Sequence, residues 1–318
     1  MSAFRAVMTS VSISDAARKL GRTQPAISLA IRSLEESLGL KLFERKGRQL
    51  VPVPEAHYLH AESQEILDRL SSVTRTMRGL AGGNAGALNV TAMPGPAAFV
   101  FPRFVASVID DIEKVNLSIT SRSSQQIEEL ARSQNIDFGF CDAPTVVNEN
   151  AQFHIDTISA ECFVAMPTSH ALASQERIAV KSLDDVPIGA LQPAHTHQQR
   201  TLSLFAEAGV TFRKVIESQT FMPLLQFVRT GKCLALVDPL SVVNEVEFTS
   251  SDSEVVFRRL ERSLRYDYAI LSPLHRPSSR VAMKVRAAWR RHLYSLLDQI
   301  DADPRWVTRS IAFDDVDD

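Results

Sequence analysis

Residues 16–50, AARKLGRTQPAISLAIRSLEESLGLKLFERKGRQL, read as two helices set almost end to end and followed by a basic hairpin. Ser14 is placed to cap a short helix over Asp15 to Leu20, and Gly21 stops it by entering the left-handed region at no steric cost. The next helix starts at once. Thr23 stands at its N-cap and Pro25 in its first turn, where the missing N–H removes nothing the helix uses. Ile27, Ile31, Leu34 and Leu38 follow at spacings of four, three and four, one apolar stripe that must face a core. Gln24, Ser28 and Arg32 flank that stripe as a polar row. Beyond Gly39, KLFERKGRQLVPV makes two short apolar strands around a basic turn, Arg45, Lys46, Gly47 and Arg48.

Two adjoining helices with a polar row on the second make a helix-turn-helix, and the hairpin is its wing. The major groove of DNA admits one helix, and Gln, Ser and Arg match the hydrogen-bonding groups of bases and phosphates. The candidate DNA contacts are Arg22, Thr23, Gln24, Pro25, Ser28, Arg32, Arg45, Lys46 and Arg48, the wing cations serving phosphate or the minor groove. Charge agrees with this. Residues 1–50 hold nine Lys or Arg against four Asp or Glu, while the rest holds 26 against 33, so a small basic module precedes an acidic body. A basic surface on an ordinary helical hairpin is the competing reading.

Residues 4–50 resemble the winged helix-turn-helix of LysR-type transcriptional regulators. Phe4, Ala16, Ala17, Leu20, Gln24, Pro25, Ala26, Ser28, Ile31, Leu34, Glu35, Leu38, Gly39, Leu42, Phe43, Glu44 and Arg45 carry the resemblance, and FRAVM and TQPAIS are similar to the opine-catabolism subgroup. The chain departs from the pattern in starting several residues late, which predicts either a short first helix or a true start codon upstream. Leu29 and Ala30 stand where longer polar residues are usual, and VPVPEA follows the wing in place of Leu-Thr-x-x-Gly.

From Glu55 onward, Leu59, Ser63, Ile66, Leu70, Val73, Met77 and Leu80 repeat at alternating spacings of four and three until Gly82 and Gly83. A helix of about 27 residues spans roughly 40 Å, and a seam this narrow asks for a partner helix. Leu59, Ile66, Leu70, Val73, Met77 and Leu80 are the candidate dimerisation residues, with packing on the helix's own domain as the competing reading. The resemblance implies a linker helix paired across a homodimer, with homotetramers usual in the family and RNA polymerase as a possible further partner. His57 and His60 lie three apart on this helix, yet without a third ligand they are read as polar face residues rather than a metal site.

Strand-like and helical runs alternate beyond residue 84, which argues a mostly parallel α/β sheet. ALNVTAM, 97–111, NLSITS, 125–133 and IDFGFCD form one series; VPIGALQ, 197–208, RKVIESQ, 221–230 and CLALVDP form another. RSSQQIEELARSQNIDFGFCDAP and ESQTFMPLLQFVRTGKCLALVDP align without gaps, setting Ser123 over Ser218 and Pro144 over Pro239. The expected fold is therefore an α/β effector domain of two Rossmann-like lobes, of the periplasmic-binding-protein kind, behind a winged helix-turn-helix and a long linker helix. The boundaries are 1–53 for the DNA-binding domain and 54–83 for the linker. The effector domain is 84–305, with lobe I over about 84–163 and 267–305 and lobe II over about 164–266, and 306–318 is an acidic tail.

Ligands of open α/β sheets bind at the carboxyl ends of the strands, so the candidate lining is Met93, Pro94, Gly95, Pro96, Ser123, Ser124, Asp142, Gln192, His195, Ser218, Thr220 and Asp238. Ser123 and Ser218 are expected at helix N-termini, which favour anions. Asp142 and Asp238 face a cationic group or cap the following turns, and HTHQQR reaches a carboxylate or simply starts a helix. The resemblance implies a small-molecule inducer between the lobes, amino-acid-derived or carboxylate-bearing.

No run of about twenty apolar residues and no signal-peptide pattern is present, so a cytoplasmic protein is expected, with no membrane partner. No Gly-rich phosphate loop, GxSxG elbow or HExxH occurs; no catalytic residue, metal or cofactor is assigned, and the chain is read as a DNA-binding activator or repressor rather than an enzyme. A redox-sensing regulator using Cys141, Cys162 or Cys233 is the alternative, and a two-lobed receptor is weaker still.

Overall fold

The computed structural model describes residues 1–10, 12–46, 49–81, 87–145, 152–248 and 254–307. They fall into two compact units, Met1–Met77 and Arg78–Asp318.

The first unit opens with α1 (Ser2–Met8), seven residues long, followed by α2 (Ile13–Lys19) and α3 (Gln24–Leu38). Ser12, not Ser14, caps α2: it is extended, and its side chain accepts from the Asp15 amide at 3.1 Å. Ser14 lies inside the first turn, where its hydroxyl instead donates to Gln24 Oε1 at 3.3 Å. Gly21 (φ +61°) and Gly39 (φ +68°) end their helices in the left-handed conformation, and the Arg22 amide closes on the Ala17 carbonyl at 2.9 Å. The stripe on α3 points inward as far as Ile31: Ile27 and Ile31 are buried beside Phe4, Ala16, Leu42 and Phe43, Leu34 is half-buried, and Leu38 is exposed at the helix end. Strands β1 (Phe43–Lys46) and β2 (Gln49–Pro52) pair antiparallel as the wing. Glu35 pins the wing to α3 by accepting from the Leu42 and Phe43 amides at 2.7 and 3.1 Å. The long helix α4 (Pro54–Ala81) follows directly.

The second unit contains two six-stranded sheets. The first lobe begins with β3 (Ala87–Ala92), α5 (Pro94–Ala98), α6 (Val100–Val108), β4 (Asn116–Ser121), α7 (Ser124–Arg132), β5 (Phe138–Asp142) and β6 (Phe153–Glu161). The second holds β7 (Phe163–Pro167), β8 (Arg177–Ile178), β9 (Pro187–Leu191), α8 (Thr196–Glu207), β10 (Arg213–Ser218), α9 (Phe221–Arg229), β11 (Leu234–Val237), α10 (Pro239–Phe248) and β12 (Val255–Leu260). The chain then returns to the first lobe as β13 (Arg265–Pro273), α11 (Arg280–Gln299) and β14 (Arg305–Val307). Only Cys162 separates β6 from β7, and residues 261–264 join β12 to β13.

The sheet orders are β14-β6-β13-β5-β3-β4 and β10-β9-β11-β7-β12-β8. Both are mixed rather than mostly parallel. The strands linked by helices within a lobe, β4-β3-β5 and β10-β9-β11, are parallel. Strands β13 and β7, which arrive from the opposite lobe, pair antiparallel with β5 and β11. A parallel neighbour needs a long crossover within its own sheet, and these two strands have none.

The helix read over 97–111 is two pieces, because Phe99 leaves helical geometry (φ −134°) between α5 and α6. In the first lobe's core, Phe101 meets Phe138 and Trp289 edge-on at 5.8 and 5.0 Å, and Phe140 meets Trp289 at 5.1 Å. Gly139 lies on β5 because an added Cβ would stand 2.4 Å from Ile127 Cγ2.

Candidate functional site

On α3, Gln24 and Arg32 are exposed and Ser28 is half-buried on the flank of the buried Ile27 and Ile31. Arg22, Thr23 and Pro25 are exposed at the same end of the helix, and Thr23 makes no side-chain cap bond. Leu29 stands out among them at 68% exposure, the one large apolar side chain in the first two turns that faces water. Arg48 and the side chains of Arg45 and Lys46 lie outside the described residues, as do the side chain of Leu80, the linker's expected end at Gly82 and Gly83, and most of the acidic tail.

Helix α4 changes character along its length. Leu59 packs against the core of the first unit and Ser63 is buried, its hydroxyl donating to the His60 carbonyl at 3.2 Å. Farther on, Ile66, Leu70, Val73 and Met77 are between 50% and 67% exposed. The break in the seam at Ser63 therefore lies where the helix is still covered by its own chain. His60 sets its ring edge-on to Phe4 at 6.3 Å.

The second unit encloses a cavity of about 540 Å³. Met93 to Pro96 line it from the end of β3 and the start of α5, Ser123 and Ser124 from the start of α7, and Asp142 from the end of β5. The other lobe contributes Gln192 and His195 between β9 and α8, Thr220 before α9, and Asp238 after β11. Eleven of the twelve residues expected there are thus in the wall. Ser218 is the exception, because it ends β10 and spends its hydroxyl on the Thr220 amide at 3.3 Å. Thr220, two residues on, is the cap of α9 that answers to Ser123, and it makes no side-chain cap bond.

The polar groups differ in how far the protein itself satisfies them. Ser123 closes a capping box with Gln126: its hydroxyl accepts from the Gln126 amide at 3.3 Å while Gln126 Oε1 accepts from the Ser123 amide at 3.2 Å. Ser124 donates to Asp142 Oδ2 at 2.7 Å and accepts from the Asp142 amide at 3.2 Å. Asp142 also accepts from the Tyr266 hydroxyl. Asp238 is buried, accepting from the Ser241 hydroxyl and amide and from the Tyr268 hydroxyl, so it caps α10. Burial holds the Asp238 carboxyl above the ordinary range, with those hydrogen bonds opposing it. Burial, reinforced by Asp142 and Asp238, holds the Tyr266 hydroxyl well above its own.

The HTHQQR stretch divides three ways. His195 caps α8, its Nδ1 accepting from the His197 amide at 3.3 Å, and its Nε2 lies 3.7 Å from Asp142 Oδ2 in the opposite lobe. His197 is buried, and Arg200 is spent on Asp267 at 2.8 Å. Sequence reasoning missed Glu128, Tyr266 and Asn244, which also line the cavity. Glu128 had a readable signal, being one turn from the expected lining on the same helix; Asn244 had none, since α10 was not foreseen.

All three cysteines are buried as free thiols. Burial pushes Cys141 and Cys162 well above the usual thiol range and raises Cys233 too. That is the opposite of the exposed, acidic thiol a peroxide sensor needs.

Two family models match the chain. One, described as the LysR substrate binding domain, matches residues 81–293, and the other, described as a bacterial regulatory helix-turn-helix protein of the lysR family, matches residues 1–57. The chain is 29% identical over 308 residues to the regulatory protein NocR of Agrobacterium fabrum, covering 96% of this chain and 97% of that one. It is 31% identical over 247 residues to the octopine catabolism/uptake operon regulatory protein OccR of Rhizobium meliloti, covering 76% and 79%. Among solved structures, full-length CbnR in complex with its target DNA aligns with a TM-score of 0.69 at 18% identity, over 91% of this chain and 97% of that one. A full-length OxyR of Pseudomonas aeruginosa aligns with a TM-score of 0.53 at 20% identity, over 94% and 93%.

Proposed function

This chain belongs to the LysR family of bacterial transcriptional regulators, and from that premise we propose how it reads DNA and what switches it. Helix α3 enters the major groove with Gln24, Ser28 and Arg32 toward base edges and phosphates, and Arg22, Thr23 and the wing cations hold the backbone. The exposed stripe of α4 pairs with that of a second copy, so two recognition helices address an approximately palindromic operator. Pairs of such dimers form the tetramer, which acts in the cytoplasm on promoters and RNA polymerase.

The switch is a small, amino-acid-derived inducer in the effector cavity. The observation that carries this reading is the cavity itself, walled by the carboxyl ends of strands from both sheets and by the first turns of α7, α8 and α9. The octopine operon named for the OccR relative supports an inducer of the amino-acid-conjugate class. A ligand that touches both lobes stabilises the arrangement in which it touches both, and by linkage that arrangement shifts operator affinity.

Capture of genomic fragments on the full-length protein, followed by gel shifts of the enriched sequence, tests the DNA half. A discrete sequence retained over scrambled competitor is expected, and Gln24→Ala should reduce the preference. Retention that ignores sequence at moderate salt would remove the regulator's reading head from α3. For the inducer half, Thr220→Trp intrudes on the cavity and should abolish any ligand-dependent change in the footprint.

A further inference from the structure

The outward face of α3 carries an aliphatic side chain at its centre. With about 100° between successive residues, Leu29 lies about 160° around the helix from Ile27 on one side and from Ile31 on the other, opposite the stripe that those two bury. Its neighbours one turn away, Pro25 and Ala26 before it and Arg32 and Ser33 after it, are all exposed. At 68% exposure it exceeds every other large hydrophobic among the described residues except Tyr58, which carries a hydroxyl. The helix itself does not require it, since alanine would propagate α3 at least as well and present less apolar surface to water.

The place of Leu29 decides what it can touch. The polar row of Gln24, Ser28 and Arg32 runs between the buried stripe and Leu29, so a duplex that meets this row with the helix in its major groove meets Leu29 as well. Leucine has no donor or acceptor, and a nitrogen or oxygen of a base edge pressed against it would lose water and gain no partner. One apolar substituent exists in the major groove, the C5 methyl of thymine. Cytosine, the other pyrimidine, presents an amino donor there and no methyl.

We infer that Leu29 is a specificity residue, covering the C5 methyl of one thymine in each half-site beside the base pairs that the polar row addresses. This rests on the DNA reading proposed above and adds a base identity to it.

The full-length protein and the sequence retained in the genomic capture test it, with each thymine of the half-sites replaced in turn by deoxyuridine. The exchange removes one methyl and leaves every hydrogen-bonding group of the base pair in place. At one thymine per half-site, deoxyuridine should weaken wild-type binding about fourfold, the worth of one buried methyl-sized group. The same exchange should weaken Leu29→Ala by less than about 1.5-fold, because the partner of the methyl is already gone. Thermal unfolding at the wild-type temperature confirms that the variant folds. Equal losses in wild type and variant at every thymine overturn the role of Leu29, as do tolerance of deoxyuridine throughout or half-sites without thymine. In each of these cases the discrete retained sequence leaves the DNA reading standing, whereas retention without sequence preference overturns both.

Discussion

His197 is enclosed in the second lobe, with Nε2 3.1 Å from the Leu236 carbonyl and Nδ1 3.8 Å from Cys162 Sγ. Burial drives its pKa from 6.5 to about 3, with the Leu236 bond opposing and His195 and Arg200 adding to the fall. Below pH 6.5 the unfolded chain takes up a proton that the folded one refuses. The stability is thus present above 6.5 and is lost as pH falls toward 3, at about 1.4 kcal/mol per pH unit. Between pH 7 and 5 this residue should remove about 2 kcal/mol. Urea unfolding of wild type and His197→Gln at those two pH values reads it as a difference in slope, and equal slopes would assign the loss elsewhere. Gly139 makes a simpler case. Its missing Cβ leaves room for Ile127, a β-branched side chain that is fully buried, so Gly139→Ala should cost about 1–3 kcal/mol of overpacking by the same measurement.

At the scale of elements, the sequence was most legible where a local rule had a single solution. Gly21 and Gly39 ended their helices because a left-handed residue was needed, and the stripe of α3 turned inward because Ile27 and Ile31 share a face. It was least legible where two local solutions competed. Ser12 and Ser14 could each have capped α2, and the choice fell to Ser12, whose backbone is extended. Thr220 took the cap that the internal repeat had assigned to Ser218, because β10 runs on through Ser218 before the turn. The break in the α4 seam has a similar origin, Ser63 lying on the part of the helix that its own unit covers. Beyond it, Ile66, Leu70, Val73 and Met77 leave an apolar stripe facing water, and a charge placed there should be incompatible with pairing. Leu70→Lys combined with Val73→Lys should shift sedimentation to the next smaller species and weaken operator binding together. Loss of neither would mean that copies associate through other surfaces.

For the whole molecule, the cavity was legible as a place more than as a chemistry. Strand ends located eleven wall residues, yet the same sequence could not say that Asp142 and Asp238 are held by side chains of their own chain. Hydrogen-bond accounting of that kind depends on α10 and β13, which bring Ser241, Tyr266 and Tyr268 from distant parts of the sequence. Charge acts at the same scale. The chain is net −2, with the excess of cations confined to its first fifty residues, so attraction to DNA must be local and is opposed by the acidic remainder. Each phosphate contact contributes a slope of about −0.9 in log affinity against log salt. Arg22→Ala removes one such contact in each subunit, and in a dimer the slope should become shallower by about 1.8 for every DNA sequence alike. Gln24→Ala should leave the slope where it was and instead reduce the preference for cognate over altered sites, by about 1–3 kcal/mol at the base pair it reads. Binding isotherms at four salt concentrations, on cognate and scrambled duplexes, separate the two effects. A change of slope with Gln24→Ala, or a change of preference with Arg22→Ala, would mean that the positioning and reading roles at the start of α3 are assigned the wrong way round.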